Sequence, residues 1–401
     1  MDFLICKMGD IINQSFVVYL SSYPPRKCGI ASFTQDLTAA MDEIANPIIK
    51  SKIIALNDNG NSYYYNGNVI SQIDDANPKS YLKAAQKINE DDKIELVNIQ
   101  HEFKLFGSEY GDNLISFFEA LKKPVITTLH TVLPAPSLYR KEIVQSIAKN
   151  SKYLVTLSKS AIKILREDYD LKDAKIVVIP HGIHDVPFEE NENLKENLGY
   201  GDRNLLTSFG FLRPGNGERS SGRGYEYVLE ALPDIIRQFP NVLYLIIGVT
   251  HPKVLKKEGE RYREFLESKV RELGLEKNVK FINKFVDLEE LFQYLKATDV
   301  YICSTLNPNQ IASGTLSYAM GCGCAVVSTP FLNAKDVLTK ERGILLDDFK
   351  NPSLFSEAVI KLLSNPLLKN KMKKNAYLFT RHMIWKNVAT NYLRVFNEVI
   401  N

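Results

Sequence analysis

The chain has no run of about 18 apolar residues, which excludes a membrane-spanning helix. Its start lacks the basic stretch and small-residue cleavage site of a secretory signal, so MDFLICKMGDII reads as a short apolar leader. Cysteine is scarce: five residues, an odd number without framework spacing, which points to reduced thiols in a cytoplasm rather than a disulfide scaffold. Cys322 and Cys324 form a CxC, read as small packing residues flanking Gly323 in preference to a metal site. No GxGxxG follows an early strand, which argues against a dinucleotide-dependent dehydrogenase. Charge of one sign is also missing. The net +3 is too small to imply a nucleic-acid partner.

What is present is length and alternation. At 401 residues, the chain suits two domains of roughly 150–200 residues each. Residues 1–190 hold 21 Lys/Arg against 24 Asp/Glu, a net −3, and the remainder carries +6. A basic C-terminal half suits a phosphate-bearing ligand, although scatter of surface charge gives the same balance.

Short continuous apolar runs recur at Ser15–Leu20, Ile53–Leu56, Glu95–Ile99, Val125–Leu129, Tyr153–Leu157 and Lys175–Ile179. Helical periods lie between several of them: about Ser32 to Ile44, then Tyr81–Asn89, Leu114–Lys122 and Arg140–Lys149. Continuous rather than alternating strands are covered on both faces, so the pattern predicts an α/β fold with a doubly wound parallel sheet.

A polar stretch from Asp185 to Asp202 reads as a linker, and the alternation then restarts. Strands are expected at Asn204–Phe209, Val242–Gly248, Val279–Ile282, Asp299–Ser304, Ala325–Ser328 and near Gly343–Leu345. Helices are expected at Tyr225–Phe239, Arg261–Leu273, Leu288–Ala297, from about Ser313, and from Pro352 onward. The expected domains are 14–190 and 200–380. Two such halves would face an interdomain cleft, and ligands of open α/β sheets lie at strand carboxyl ends.

The segment Asp299–Pro330 reads strand, loop, helix, glycine turn, strand. Ser313, Gly314 and Thr315 fall where the helix begins. Ser and Thr cap well, glycine lets a ligand approach the backbone, and free first-turn amides make an anion site. Diphosphate is the natural guest of such a site.

From Ala319 to Val327 (AMGCGCAVV) the chain resembles the donor motif of the family 4 (group 1) retaining glycosyltransferases, which have the GT-B fold of two Rossmann-like domains. The resemblance in order of elements covers nearly all of residues 15–400. A gapless match puts Gln310 and Tyr318 where that family has two glutamates, one on the transferring sugar and one on the nucleotide ribose. An amide or a phenol can still hydrogen-bond a hydroxyl.

Leu206–Leu232 resembles the segment whose Arg and Lys hold the donor diphosphate. Arg213 matches the first and Arg223 the second, with Arg219 a further candidate in a loop that otherwise reads as mobile and glycine-rich. Tyr244–Lys253 resembles the strand and glycine turn that carries Gly248. Val279–Leu295 resembles the base-reading segment, where Phe285 and Val286 are either base contacts or core.

In the N-terminal half, the loop Tyr23–Thr34 resembles one whose glycines approach donor and acceptor. This implicates Gly29, with Arg26 and Lys27 reaching phosphate or acceptor, or else facing solvent. IQHEF at Ile99–Phe103 and PVITTLHTV at Pro124–Val132 end strands, so His101, Glu102 and His130 become candidates; the second segment resembles the family's strand leading to a histidine near the donor sugar, which would be His130. VVIPHGI at Val177–Ile183 matches a strand exit, with His181 in place of an asparagine. Arg381–Ile400 reads as an amphipathic helix that returns to the first domain (383–401), with Trp385, Tyr392 and Phe396 in its core.

The resemblance implies a metal-independent hexosyltransferase. It would move sugar from a nucleoside-diphosphate donor to a hydroxyl of a glycan, lipid or small sugar. The nucleotide sugar is a co-substrate, no cofactor is expected, and membrane contact is peripheral at most. A disaccharide phosphorylase on the same fold and a catalytically silent sugar- or nucleotide-binding homologue remain alternatives.

Overall fold

In the computed structural model, residues 14–58, 60–65, 67–189, 193–215 and 222–400 are described. Arg219 and the whole apolar leader, with Cys6, lie outside them. The chain divides into two compact units, one of residues 1–182 with 383–401, the other of residues 183–382. No helix among the described residues is long and apolar enough to cross a membrane.

The first unit holds a seven-stranded, all-parallel sheet: β1 (Ser15–Ser21), β2 (Ile49–Asn57), β3 (Val69–Asp74), β4 (Ile94–His101), β5 (Val125–Leu129), β6 (Tyr153–Thr156) and β7 (Ile176–Val178). The order is β3-β2-β1-β4-β5-β6-β7. Buried Val, Ile and Leu fill β1, β2 and β4, as strands covered on both faces require. β3, absent from the expected runs, is an edge strand whose apolar residues Val69 and Ile70 are half-buried, with Ile73 alone fully buried.

The second unit repeats the architecture with six parallel strands: β8 (Asn204–Phe209), β9 (Val242–Ile247), β10 (Val279–Ile282), β11 (Val300–Cys303), β12 (Ala325–Ser328) and β13 (Ile344–Leu345). Their order is β10-β9-β8-β11-β12-β13. Each sheet therefore reverses its winding once, between β1 and β4 and between β8 and β11. Such switch points open a crevice at the strand carboxyl ends.

The stretch read as a linker is pinned to the second unit. Asp185 pairs with Arg381 at 2.9 Å and Glu189 with Lys296 at 2.9 Å, and Phe188 packs on Tyr377. Residues 193–197 form a short helix whose Lys195 reaches the buried Asp299 at 2.5 Å. The apolar residues Val186 and Phe188 within a polar sequence explain the docking.

The last helix, Trp385–Ile400, belongs to the first unit and packs on the helix Gly29–Ala45. Trp385, Tyr392 and Phe396 are buried there. Gly182 makes room for the indole: a Cβ at that position would come within 2.2 Å of Trp385.

Candidate functional site

In the second unit, the candidate residues gather where β8, β9 and β11 end. Phe209 closes β8 and the chain turns at Gly210. β9 ends at Ile247 and turns at Gly248, with φ +138°. The two turns touch, since a Cβ on Gly248 would lie 2.2 Å from the carbonyl oxygen of Gly210. Only glycine fits so close a backbone crossing.

A Cβ on Gly210 would in turn meet Arg223 Nη2 at 2.8 Å and Thr315 Cγ2 at 3.3 Å. Arg223 and the start of the helix Gly314–Gly321 thus converge on the half-buried backbone of one glycine.

Two backbone hydrogen bonds hold Arg223 in place. Its amide donates to Arg213 O (3.2 Å) and Ser304 Oγ donates to its carbonyl (2.6 Å), and Gly224 follows in the left-handed region. Its guanidinium has no carboxylate partner among the described residues. The Arg213 backbone anchors the other end of the same loop, at the isolated bridge of Leu212 with Thr250.

The helix beyond is built for an anion. Ser313 is extended and its hydroxyl accepts from Leu316 N (3.3 Å), a side-chain N-cap. The first amides, those of Gly314 and Thr315, precede any intrahelical acceptor and are partly exposed. Gly321 ends the helix, and Gly323, at φ +75°, starts the turn into β12.

The two replaced acidic positions behave differently from each other. Gln310 is tied into its own loop, donating to Ala312 O (2.8 Å) and accepting from Thr305 Oγ1 (3.3 Å). The ring of Tyr318 stacks on His184, with centroids 6.0 Å apart, and tilts against Phe292.

Phe285 and Val286 divide the two readings given to them. Phe285 is 63 % exposed and leans on Phe211, whereas Val286 packs into the core.

His251 joins this group without having been singled out in the sequence. Its Nδ1 accepts from Lys253 N (3.2 Å), and its ring meets Phe211 edge-on. Burial and the positive charges of Arg213, Lys253 and Arg223 push its pKa down to about 4, so it is neutral at physiological pH. The signal that could have found it is the paired glycine ending, SFG at Ser208–Gly210 and IIG at Ile246–Gly248, which places both following loops together.

In the first unit, Gly29 opens its helix with nothing within 4 Å of a Cβ, so this backbone is free to be approached. Arg26 turns inward. It donates to Leu56 O (2.8 Å) and faces Asp58 and Asp75 at 3.7 and 3.9 Å. Lys27 is exposed.

Glu102 accepts from Phe103 N (3.0 Å) and from Thr131 Oγ1 (2.6 Å), so both oxygens serve the loop. His101 is sealed, stacked on Phe106 and edge-on to Phe103, with neither ring nitrogen hydrogen-bonded. Burial pushes its pKa down to about 3.

His130 sits one position beyond β5, its backbone amide bonded to His101 O (3.0 Å). Its Nε2 lies 2.8 Å from Gln100 Oε1. Phe33 packs edge-on to His130, His181 and Trp385.

Cys303, Cys322 and Cys324 are buried in one apolar cluster, and Cys324 Sγ donates to Leu295 O. Among the described residues no three His, Cys, Asp or Glu gather as metal ligands.

Known proteins agree with this layout. The family model described as glycosyl transferases group 1 matches residues 217–379, and that of glycosyltransferase family 4 matches residues 72–185. An uncharacterized glycosyltransferase of Methanocaldococcus jannaschii is 27% identical over 271 residues, 66% of this chain and 62% of its own length. The matched stretch thus spans about three fifths of that relative.

Among solved structures, sucrose-phosphate synthase of Thermosynechococcus elongatus superposes with TM-score 0.75 at 15% identity, covering 96% of this chain and 98% of its own. The Anabaena protein HepE, in complex with UDP and glucose, gives 0.70 at 13% identity, covering 96% and 100%. At such identities the likeness shows the fold, which is GT-B. With two family models that together take in well over half of the sequence, the chain belongs to the group 1, family 4 glycosyltransferases.

Proposed function

We propose that the protein is a retaining hexosyltransferase that moves a sugar from a nucleoside-diphosphate donor to a hydroxyl of a glycan, lipid or small sugar. The observation that carries this reading is the convergence on the half-buried Gly210 of the helix start at Gly314–Thr315 and the Arg223 guanidinium, which has no carboxylate partner among the described residues. A planar guanidinium and free amides suit phosphate oxygens. UDP-sugars are the first donors to test, because UDP and glucose are bound in HepE.

In the proposed reaction, the bond from the sugar's anomeric carbon to the diphosphate breaks. The bond to the acceptor oxygen forms on the same face, and the acceptor's proton passes to the departing phosphate. Arg213 and Arg223 stabilise the charge that grows on that phosphate, a role that requires no protein metal and no cofactor. Ser313, Gly314 and Thr315 hold the diphosphate, Gly248 and Phe285 border the nucleotide, and Tyr318 and Gln310 face ribose and sugar. Within the first unit, His130 and Gly29 are the candidates for sugar contact, and His101, Glu102 and Arg26 shape the loops beside them. The protein acts in the cytoplasm, with membrane contact peripheral at most.

The bonding of Gln310 favours a second reading. Both ends of its amide are engaged within its own loop, as expected of a homologue that binds donor without turning it over. One assay separates these possibilities, with UDP- and GDP-sugars as donors. Nucleoside diphosphate release without free phosphate supports the transferase. Binding without release supports the silent module, and a strict need for inorganic phosphate supports a phosphorylase.

A further inference from the structure

We propose that Gln100 is a positioning residue that holds His130 in the neutral form protonated on Nε2, leaving Nδ1 as a hydrogen-bond acceptor for a sugar hydroxyl. The last clause rests on the reading of His130 as a sugar-facing group, while the first stands on geometry alone.

The geometry begins with a strand that breaks its own pattern. Asn98 and Gln100 alternate on one face of β4, fully buried in an otherwise apolar run. Register sets Asn98 beside Ile126 and Gln100 beside Thr128 on β5.

The direction of each bond follows from a backbone carbonyl, which can only accept. Asn98 Nδ2 donates to Ile126 O (3.3 Å), so Asn98 turns its Oδ1 toward Gln100. Gln100 Nε2 then donates to that Oδ1 (2.5 Å) and to Thr128 Oγ1 (3.4 Å). Gln100 Oε1 is left facing His130 Nε2 at 2.8 Å. An amide oxygen cannot donate, so the hydrogen is on Nε2. The other ring nitrogen, Nδ1, bonds to no described residue, and His130 keeps 9 % of its surface exposed where His101 keeps none.

The network continues into the final helix, where Thr128 Oγ1 bonds Tyr392 OH at 2.9 Å. Trp385 and Phe33 close the apolar side. Burial, and the nearby rings of His181 and His101, lower the His130 pKa to about 3, so the ring is neutral across physiological pH. Glu102, the nearby carboxylate, is turned to Thr131 and Phe103 N instead.

An acceptor-only nitrogen takes a hydrogen from a hydroxyl but meets a carboxylate lone pair to lone pair. Such a nitrogen therefore favours a sugar that presents a hydroxyl to it over one that presents a carboxylate.

The test is 15N NMR of the histidine rings in the full chain, which has six histidines, with His130→Gln assigning the signal. The expected result is a single tautomer, protonated on Nε2 and unchanged from pH 8 to pH 5, that becomes a mixture in Gln100→Leu. In Gln100→Glu, the carboxylate raises the pKa and both nitrogens carry hydrogen at neutral pH. A wild-type ring protonated on Nδ1, or one indistinguishable between wild type and Gln100→Leu, overturns the inference. If Gln100→Leu does not fold, the wild-type spectrum decides.

The companion measurement compares binding of UDP-glucose and UDP-glucuronate. The hexose should bind about tenfold or more tighter, and the gap should narrow in Gln100→Glu. Equal binding of the two overturns the hydroxyl selection. Failure of every nucleotide sugar to bind removes the proposed function, while the role of Gln100 still rests on the spectrum.

Discussion

The two units share a fold and differ in what their strand-end loops do with charge. After β1 and β4, the polar groups of the first unit are consumed internally: Arg26 by two aspartates and a carbonyl, Glu102 by a hydroxyl and an amide. After β8 and β11, the second unit sets a guanidinium that has no carboxylate partner among the described residues beside the first turn of a helix. A buried or half-buried cation is costly without an anion nearby. The lesson is that the same architecture pairs its strand-end charges internally in one unit and sets a guanidinium against a helix start in the other. The net charges of −3 and +6 for the two parts of the sequence run the same way.

Asp299 sharpens the contrast, because the second unit also contains cations that are fully used. Its carboxylate receives Lys369 Nζ (2.8 Å), Lys195 Nζ (2.5 Å) and the Leu205 amide (2.9 Å). Asp299→Ala would strand two lysines and should cost about 3–5 kcal/mol in chemical unfolding. Burial alone would raise this carboxyl's pKa, but the two ammonium groups outweigh it and hold it below the ordinary value. Its contribution is therefore present above the unfolded-state pKa and is lost as pH falls through the lower, folded value. An acid titration of stability should show that loss in the wild type and not in Asp299→Ala.

Removing Arg223 should act on rate instead. Arg223→Ala is expected to lower turnover about 10²–10³-fold with little change in melting temperature, measured by initial rates and thermal unfolding. An unchanged rate would remove Arg223 from the reaction.

The converse holds in the first unit. Arg26→Met should cost about 1–3 kcal/mol of stability, because Asp75 loses its buried partner, while nucleotide affinity stays level. A large loss of affinity would break the distinction between the two units.

The smallest effect concerns His251. Because its pKa is about 4, nucleotide binding should show no His251 titration between pH 6 and pH 9. A step near pH 6.5 that His251→Gln abolishes would contradict that.

Much of this was legible in the sequence because parallel strands covered on both faces announce themselves as apolar runs. β10, β12 and the helix Leu288–Ala297 lie where the pattern places them. The helix start at Ser313 was readable because a serine cap, a glycine and a following apolar run are local signals.

Signals that depend on distant packing were not readable. β3 is an edge strand with a single fully buried residue, and the helix Gly29–Ala45 starts three residues before its apolar period does, behind a Cys28 that offers no side-chain cap. The meeting of Gly210, Gly248, Arg223 and Thr315 joins residues more than 100 positions apart, so no window along the chain contains it. Asn98 and Gln100 were visible as polar interruptions of β4, but their direction of bonding needed the neighbouring strand.

The central claim is that the second unit's glycine crossing and helix start hold a nucleoside diphosphate. Thermal unfolding of the full chain with and without UDP or GDP tests it most directly. Binding at 100 times the dissociation constant adds about 2.7 kcal/mol, a shift of several degrees. One of the two nucleotides should stabilise the wild type, and Arg223→Ala should lose the shift while Arg26→Met keeps it. Equal stabilisation of wild type and Arg223→Ala would contradict the account.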